Sequence, residues 1–376
     1  MRFHVKQKTL FWISASACAG ILVLAGASAS AQTTTPDAPA TSSKAAKPAH
    51  ARTLAQARAA TAAKQAAGRQ PAYSAERAAT RKATLARARA VSTAREMADT
   101  ILPRYKVDAS GDLVPDVRAA AAIIYNPDTN EVLWEANSQS QRSIASITKV
   151  MTATVFLENN PDLSQQAVVA RGDVFQASTT HLRANDKVTA DDLLHLLLIA
   201  SDNAAARALA RVSPYGSEGF VRRMNEKAAE LGLQSTSYAD PSGLLNDNVS
   251  SAYDMARLIT HASADERISS VMRTSEYTVR TANRRVITFH STNHLLGRPD
   301  VDVRAGKTGF ISKAGYCLAT LLRLPEGGQQ VAVVVLGARS NAGRFMETQN
   351  LFAWLTTKAP TIFGPKPTAP VPQPQE

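Results

Sequence analysis

A chain of 376 residues is long enough for one large domain or two ordinary ones. Its net charge of +12 points to a polyanion-binding protein only until the charge is located. Residues 1–108 hold 17 Lys and Arg against 5 Asp and Glu, whereas residues 109–376 hold 26 of each sign. The globular part is therefore neutral, which argues against a nucleic-acid-binding domain. Only Cys317 lies outside the N-terminal leader, which excludes an internal disulfide framework.

In chain order, Arg2, Lys6 and Lys8 precede an apolar run from Leu10 to Leu24, and Ala29-Ser30-Ala31 offers a cleavage site. Residues 1–31 read as a secretory signal, so the protein is expected to be exported. An uncleaved anchor is the alternative, although the run is short of the ~20 apolar residues of a spanning helix. Cys18 lies inside that run and is read as part of the signal. Residues 32–108 are rich in Ala, Thr, Arg and Lys and poor in branched and aromatic residues, so they are expected to be a disordered linker, helical in patches between Ser74 and Ala98. The plain reading is a solvated tether; the sharper one is a basic arm contacting anionic wall polymer or a membrane surface.

The pattern turns globular near Leu113, and a catalytic domain is expected over 109–358. Residues 119–125 and 131–134 flank Asn126-Pro127-Asp128-Thr129-Asn130 as strand, turn and strand. Helical periodicity runs over 147–157, 191–199, 203–211, 219–231 and 252–261. A second hairpin spans 316–324 and 330–336 around Pro325-Glu326-Gly327-Gly328, and a closing helix covers 344–356. Strands at both ends with helices between them predict an α+β fold, an antiparallel sheet flanked by helices. Residues 359–376 are expected to be a Pro-rich disordered tail without an amphipathic helix. Cys317, in a strand-like stretch, reads as a buried small hydrophobe.

Three short motifs carry the chemistry: Ser146-Ile147-Thr148-Lys149, Ser201-Asp202-Asn203 and Lys307-Thr308-Gly309. Each is common alone; in this order, with helix after the first and strand around the third, they form a recognised signature of penicillin-binding proteins and class A β-lactamases. Helix residues three apart share a face, so Lys149 Nζ can reach Ser146 Oγ. A serine is a weak nucleophile until a base takes its proton. Lysine serves as that base only when neutral, a state favoured by burial and by a second cation such as Lys307. Ser146 is expected to open its helix, where the dipole favours developing negative charge. The plainer alternative makes Ser146 a cap and Lys149 a surface charge. Ser201-Asp202-Asn203 suits a helix N-cap, and also a relay in which Ser201 passes a proton to the leaving amine while Asn203 positions the substrate amide. Lys307 and Thr308 suit a carboxylate, and Gly309 lets substrate backbone lie along the strand edge. The N–H groups of Ser146 and Phe310 are candidate oxyanion donors.

The stretch from Ile144 to Ala153 resembles the active-site segment of low-molecular-mass penicillin-binding proteins, the D-alanyl-D-alanine carboxypeptidases and endopeptidases. Asp240-Pro241-Ser242-Gly243-Leu244, Ser291-Thr292-Asn293-His294-Leu295-Leu296, Gly306-Lys307-Thr308-Gly309-Phe310 and Ala314-Gly315-Tyr316-Cys317-Leu318 also resemble family segments, over roughly residues 113–357. The resemblance implies a β-lactamase/DD-peptidase (transpeptidase-like) fold and a serine hydrolase without cofactor or metal. Ser146 would be acylated, Lys149 its base, Ser201 and Asn203 the relay, and Lys307 with Thr308 the carboxylate holder. It implies peptidoglycan stem peptides as substrate, β-lactams as covalent inhibitors and a periplasmic location. The Thr-Asn-His and Gly-Tyr-Cys-Leu stretches look most like the endopeptidase branch, which cuts cross-links; a carboxypeptidase trimming pentapeptide stems is the alternative.

Three rivals were weighed. A class A β-lactamase needs an E-x-x-L-N carboxylate, which is absent between Asn203 and Lys307. A metal enzyme would use His290 and His294, four apart, but strand pattern precedes them and no H-E-x-x-H occurs. A catalytically silent wall-binding protein has no need of the complete motif set.

Overall fold

The computed structural model describes residues 77–94, 98, 103–325 and 328–363. Contacts divide the chain after Glu76, so the expected signal and the first part of the linker lie outside the described residues. Helix α1 (residues 77–94) is solvent-exposed throughout. Strands β1 (Tyr105–Val107) and β2 (Leu113–Pro115) pair as a small ribbon. The first expected hairpin follows as β3 (Ala121–Asn126) and β4 (Glu131–Ala136), its turn ending at Asn130 with φ 61°. Strand β5 (Arg142–Ser143) leads through a 3₁₀ turn (Ala145–Ile147) into α2 (Thr148–Leu157).

The middle of the chain is mainly helical: β6 (Gln166–Val168), α3 (Arg171–Val174), β7 (Lys187–Thr189), α4 (Ala190–Leu198), α5 (Asn203–Val212), α6 (Gly216–Glu230), β8 (Val249–Ser250), α7 (Ala252–Ser263) and α8 (Glu266–Arg273). A ribbon of β9 (Glu276–Arg280) and β10 (Val286–His290) precedes β11 (Asp302–Ile311), β12 (Gly315–Arg323), β13 (Gln330–Ala338) and α9 (Asn341–Phe363).

The main sheet is antiparallel with strand order β11-β12-β13-β3-β4, which leaves β11 at an edge. Its strands read as continuous apolar runs because both faces are covered. On β13, Ala332, Val334 and Leu336 join the core shared with α2, α4, α5 and α7, while Val331, Val333 and Val335 join the core under α9, with Leu351, Phe352 and Leu355. Ile123 and Ile124 on β3 divide in the same way. The two-residue period of a strand sorts neighbours onto opposite faces, and each fully buried aliphatic side chain contributes about 1.5–3 kcal/mol. The fold is the expected α+β arrangement.

Two boundaries and one element depart most from expectation. The chain is already a strand at Tyr105, inside the stretch read as linker through residue 108, because backbone pairing with β2 orders it despite exposed side chains. Helix α9 continues to Phe363, past the expected helix end at 356 and domain end at 358, and takes Pro360 into its last turn; Ala359 and Phe363 pack on the core beneath it. Residues 364–376 lie outside the described residues. Helix α8 was missed, being short, although Asp265 caps it by accepting from the Arg267 N–H.

Candidate active site

Ser146 sits in the 3₁₀ turn, and α2 begins two residues later at Thr148. It therefore precedes the α-helix that it was expected to open. Ala145 beside it has φ 50°, a left-handed conformation that L residues adopt only under tertiary constraint. Lys149 is fully buried. Its Nζ lies 3.0 Å from Ser146 Oγ, 2.6 Å from Asn203 Oδ1 and 2.5 Å from the Ser242 carbonyl. Burial lowers its pKa to about 7, with help from the Arg207 charge and against the pull of Asp240 and Asp202. A lysine at that value is partly neutral at physiological pH while still touching the hydroxyl it would deprotonate.

The second motif lies between α4 and α5. Asp202 caps α5 by accepting from the Ala205 N–H and also takes the Thr180 hydroxyl and the His181 N–H. Asn203 spends its amide on the protein: Oδ1 faces Lys149, and Nδ2 donates to the Ala177 carbonyl at 2.7 Å. It orients the lysine and also lines the cleft. Ser201, at φ 59°, lines the cleft with Ser146 and Asn203 but is not among the acceptors of Lys149.

The third motif lies on edge strand β11. Lys307 is fully buried and donates to the Thr308 carbonyl at 3.0 Å. Burial, then the charges of Lys149 and Arg344, hold its pKa well below the ordinary lysine value. Thr308 Oγ1 is 2.7 Å from Thr292 Oγ1. Gly309 has a reason that sequence reading did not supply: a Cβ there would meet the Ile144 carbonyl oxygen at 2.7 Å and the Ser146 nitrogen at 3.1 Å. The glycine is where the nucleophile turn rests on the strand. Gly243, at φ 79°, does the same from the other side, with the Ala145 carbonyl oxygen at 2.1 Å from any added Cβ.

Several residues were missed as site components. Asp240 accepts from the Ser242 N–H and hydroxyl and from the Leu245 N–H, which shapes the loop that aims the Ser242 carbonyl at Lys149. Arg344, from the start of α9, is buried and lines the same cleft as Ser146, Thr308, Gly309 and Phe310. Its Nη1 donates to the carbonyls of Gly309 (3.0 Å) and Cys317 (3.3 Å). Burial draws its pKa down to about 10. The Asp240–Leu244 stretch had been noticed only by resemblance. Arg344 gave no local signal, since an arginine in a closing helix is ordinarily solvated.

A cleft of about 420 Å³ thus joins the three motifs. A model of the D-alanyl-D-alanine carboxypeptidase family, peptidase family S11, matches residues 108–340. The chain belongs to this family. The D-alanyl-D-alanine endopeptidase of Escherichia coli K12 is 32% identical over 246 residues, covering 65% of this chain and 79% of that protein. The Pseudomonas aeruginosa D-alanyl-D-alanine endopeptidase is 33% identical over 248 residues, with the same coverage. The crystal structure of the Streptomyces K15 DD-transpeptidase matches with a TM-score of 0.60 and 28% identity over 64% of this chain and 97% of that one.

Among the rival residues of this serine DD-peptidase, Cys317 is fully buried on β12 and burial pushes its thiol to about 11. His290 faces Glu276 at 3.1 Å, whereas His294 stacks on Phe345.

Acylation of Ser146 by a penicillin is expected to rise with pH through about 7 and level off above it, because only unprotonated Lys149 accepts the serine proton. A profile flat across the neutral range, read by mass spectrometry of quenched adduct, would show that Lys149 is not the base. Gly309→Ala is expected to slow the same acylation by about 100-fold, through displacement of the Ser146 turn. Gly172→Ala, with nothing within 4 Å of the added carbon, should leave it unchanged.

Proposed function

We propose that this serine DD-peptidase is a D-alanyl-D-alanine endopeptidase that cuts peptidoglycan cross-links through an acyl-enzyme on Ser146. The observation that carries the substrate assignment is a pair of buried cations beside the nucleophile. Lys307 and Arg344 form no ion pair with a carboxylate among the described residues. A buried charge without a partner is costly, so the cleft is prepared for an anion brought by the substrate. A D-alanyl peptide bond supplies it, because the residue leaving with the amine bears a free carboxylate next to that amine.

Neutral Lys149 accepts the Ser146 proton as Oγ attacks the D-alanyl carbonyl, and the N–H groups of Ser146 and Phe310 receive the developing oxyanion. The proton then passes by way of Ser201 to the amine as the peptide bond breaks. Water, deprotonated by Lys149, hydrolyses the ester and frees a D-alanine carboxylate. A β-lactam enters by the same first step and stays attached because its amine remains tethered. The same carboxylate stands beside the scissile bond in a pentapeptide stem and in a cross-link, so carboxypeptidase activity is the second reading. Endopeptidase is preferred on the names of the two relatives above.

In this reading residues 1–31 direct export to the periplasm and the basic segment after them tethers the peptidase to the wall. Helix α1 carries Arg77, Arg81, Lys82, Arg87 and Arg89, with no acidic residue. Leu85 and Val91 are its only large apolar side chains, which favours anionic wall polymer over a lipid surface.

Mature protein incubated with cross-linked muropeptide dimers is expected to yield monomers, and Ser146→Ala to yield none. Loss of one D-alanine from pentapeptides with dimers intact would instead make it a carboxypeptidase. Deleting residues 77–94 should weaken sedimentation with isolated walls at low salt and remove its salt dependence; unchanged binding would leave α1 a plain spacer.

A further inference from the structure

The Arg344 guanidinium lies over two rings. Its central carbon is 4.9 Å from the Phe345 centroid and 5.7 Å from that of Tyr316. Each of these rings stacks in turn on another. Tyr316 lies against Phe310, its cross-strand partner on β11, with centroids 4.2 Å apart and planes at 27°. Phe345 lies against His294, at 4.8 Å and 19°. The resulting ladder, His294–Phe345–Arg344–Tyr316–Phe310, runs from the segment before β11 to a ring 49% exposed at the cleft rim.

An arginine side chain loses much rotamer freedom when fixed, and the usual means of fixing one is a carboxylate. Here that would cancel the charge the substrate has to meet. Ring faces attract a guanidinium without neutralising it, and its in-plane donors meet only neutral oxygens: the Gly309 and Cys317 carbonyls and Asn341 Oδ1 at 2.5 Å. Its Nε is buried without a partner. The segment that supplies His294 also supplies Thr292, whose hydroxyl meets Thr308.

We infer that Tyr316 and Phe345 are positioning residues for the known reaction: they hold Arg344 in place, still fully charged, for the substrate carboxylate. His294 and Phe310 brace the two rings from outside. The inference rests on the carboxylate-site reading above and extends it to residues that touch no substrate.

The test compares acylation of Ser146 by benzylpenicillin and by its methyl ester, separating the binding constant from the acylation step. Tyr316→Leu is expected to weaken binding of the free acid about tenfold, leaving its acylation step and the ester unchanged, while Tyr316→Phe behaves as wild type. Phe345→Leu should act in the same direction and serves if Tyr316→Leu does not fold. Arg344→Gln is the reference. If it keeps the acid preference, Arg344 does not hold the carboxylate and the positioning role falls with it. If it loses the preference while Tyr316→Leu and Phe345→Leu keep it, or if both leucine variants slow acid and ester equally, the positioning role is overturned.

Discussion

The chemistry depends on keeping the ammonium of Lys149 out of water beside a serine. Most lysines reach solvent and hold their proton tightly; this one is enclosed by α2, the start of α5 and the Asp240 loop, and its pKa falls to about 7. The enclosure is polar enough to be tolerated. Three oxygens surround Nζ, while Asp240 and Asp202 keep the group from being neutral altogether. Too little burial would leave a surface ammonium, and a carboxylate in direct contact would restore the ordinary lysine value. Asn203 fits this balance, since it offers an oxygen without a charge.

Holding the serine requires an equally close fit. The 3₁₀ turn is pressed between two glycines from distant parts of the chain, Gly243 in the loop after α6 and Gly309 on β11. Neither contact leaves room for a methyl group. The helical half and the sheet therefore meet at the nucleophile, and the cleft opens along that seam. This places the Ser146 N–H near the edge strand that also carries the Phe310 N–H, so one packing contact positions both proposed oxyanion donors.

The substrate side is built on charge left uncompensated. Lys307 and Arg344 are buried against carbonyls and ring faces. In the proposed reading the cost of holding them is recovered when a substrate carboxylate enters, and a peptide bond without a neighbouring free carboxylate would leave both cations unmatched.

Much of this was legible in the residues. The apolar runs of β3 and β13, bounded by turn residues, and the helical periods of α2, α4, α5 and α7 are local patterns, and they sufficed for an α+β sheet covered by helices. Ser146 and Lys149 are bound by helical spacing, and a Lys-Thr-Gly on a strand announces a ligand edge, so the motif residues were found without coordinates. The parts not found arise from contacts between segments far apart in sequence. Gly309 looked like an allowance for substrate until the Ile144 carbonyl proved to occupy the space. Asn203 looked like a substrate ligand alone, and its amide also ties Lys149 to the Ala177 carbonyl. Arg344 drew no notice in the last helix, and only the carbonyls of β11 and β12 show it buried at the cleft. The sequence by itself determined the fold class and the reacting groups, because periodicity and motif spacing are properties of neighbouring residues. Only the tertiary structure decided which lysine is half neutral, which glycines carry the nucleophile and which cations await the substrate, because burial and close approach are set by what the rest of the chain brings alongside.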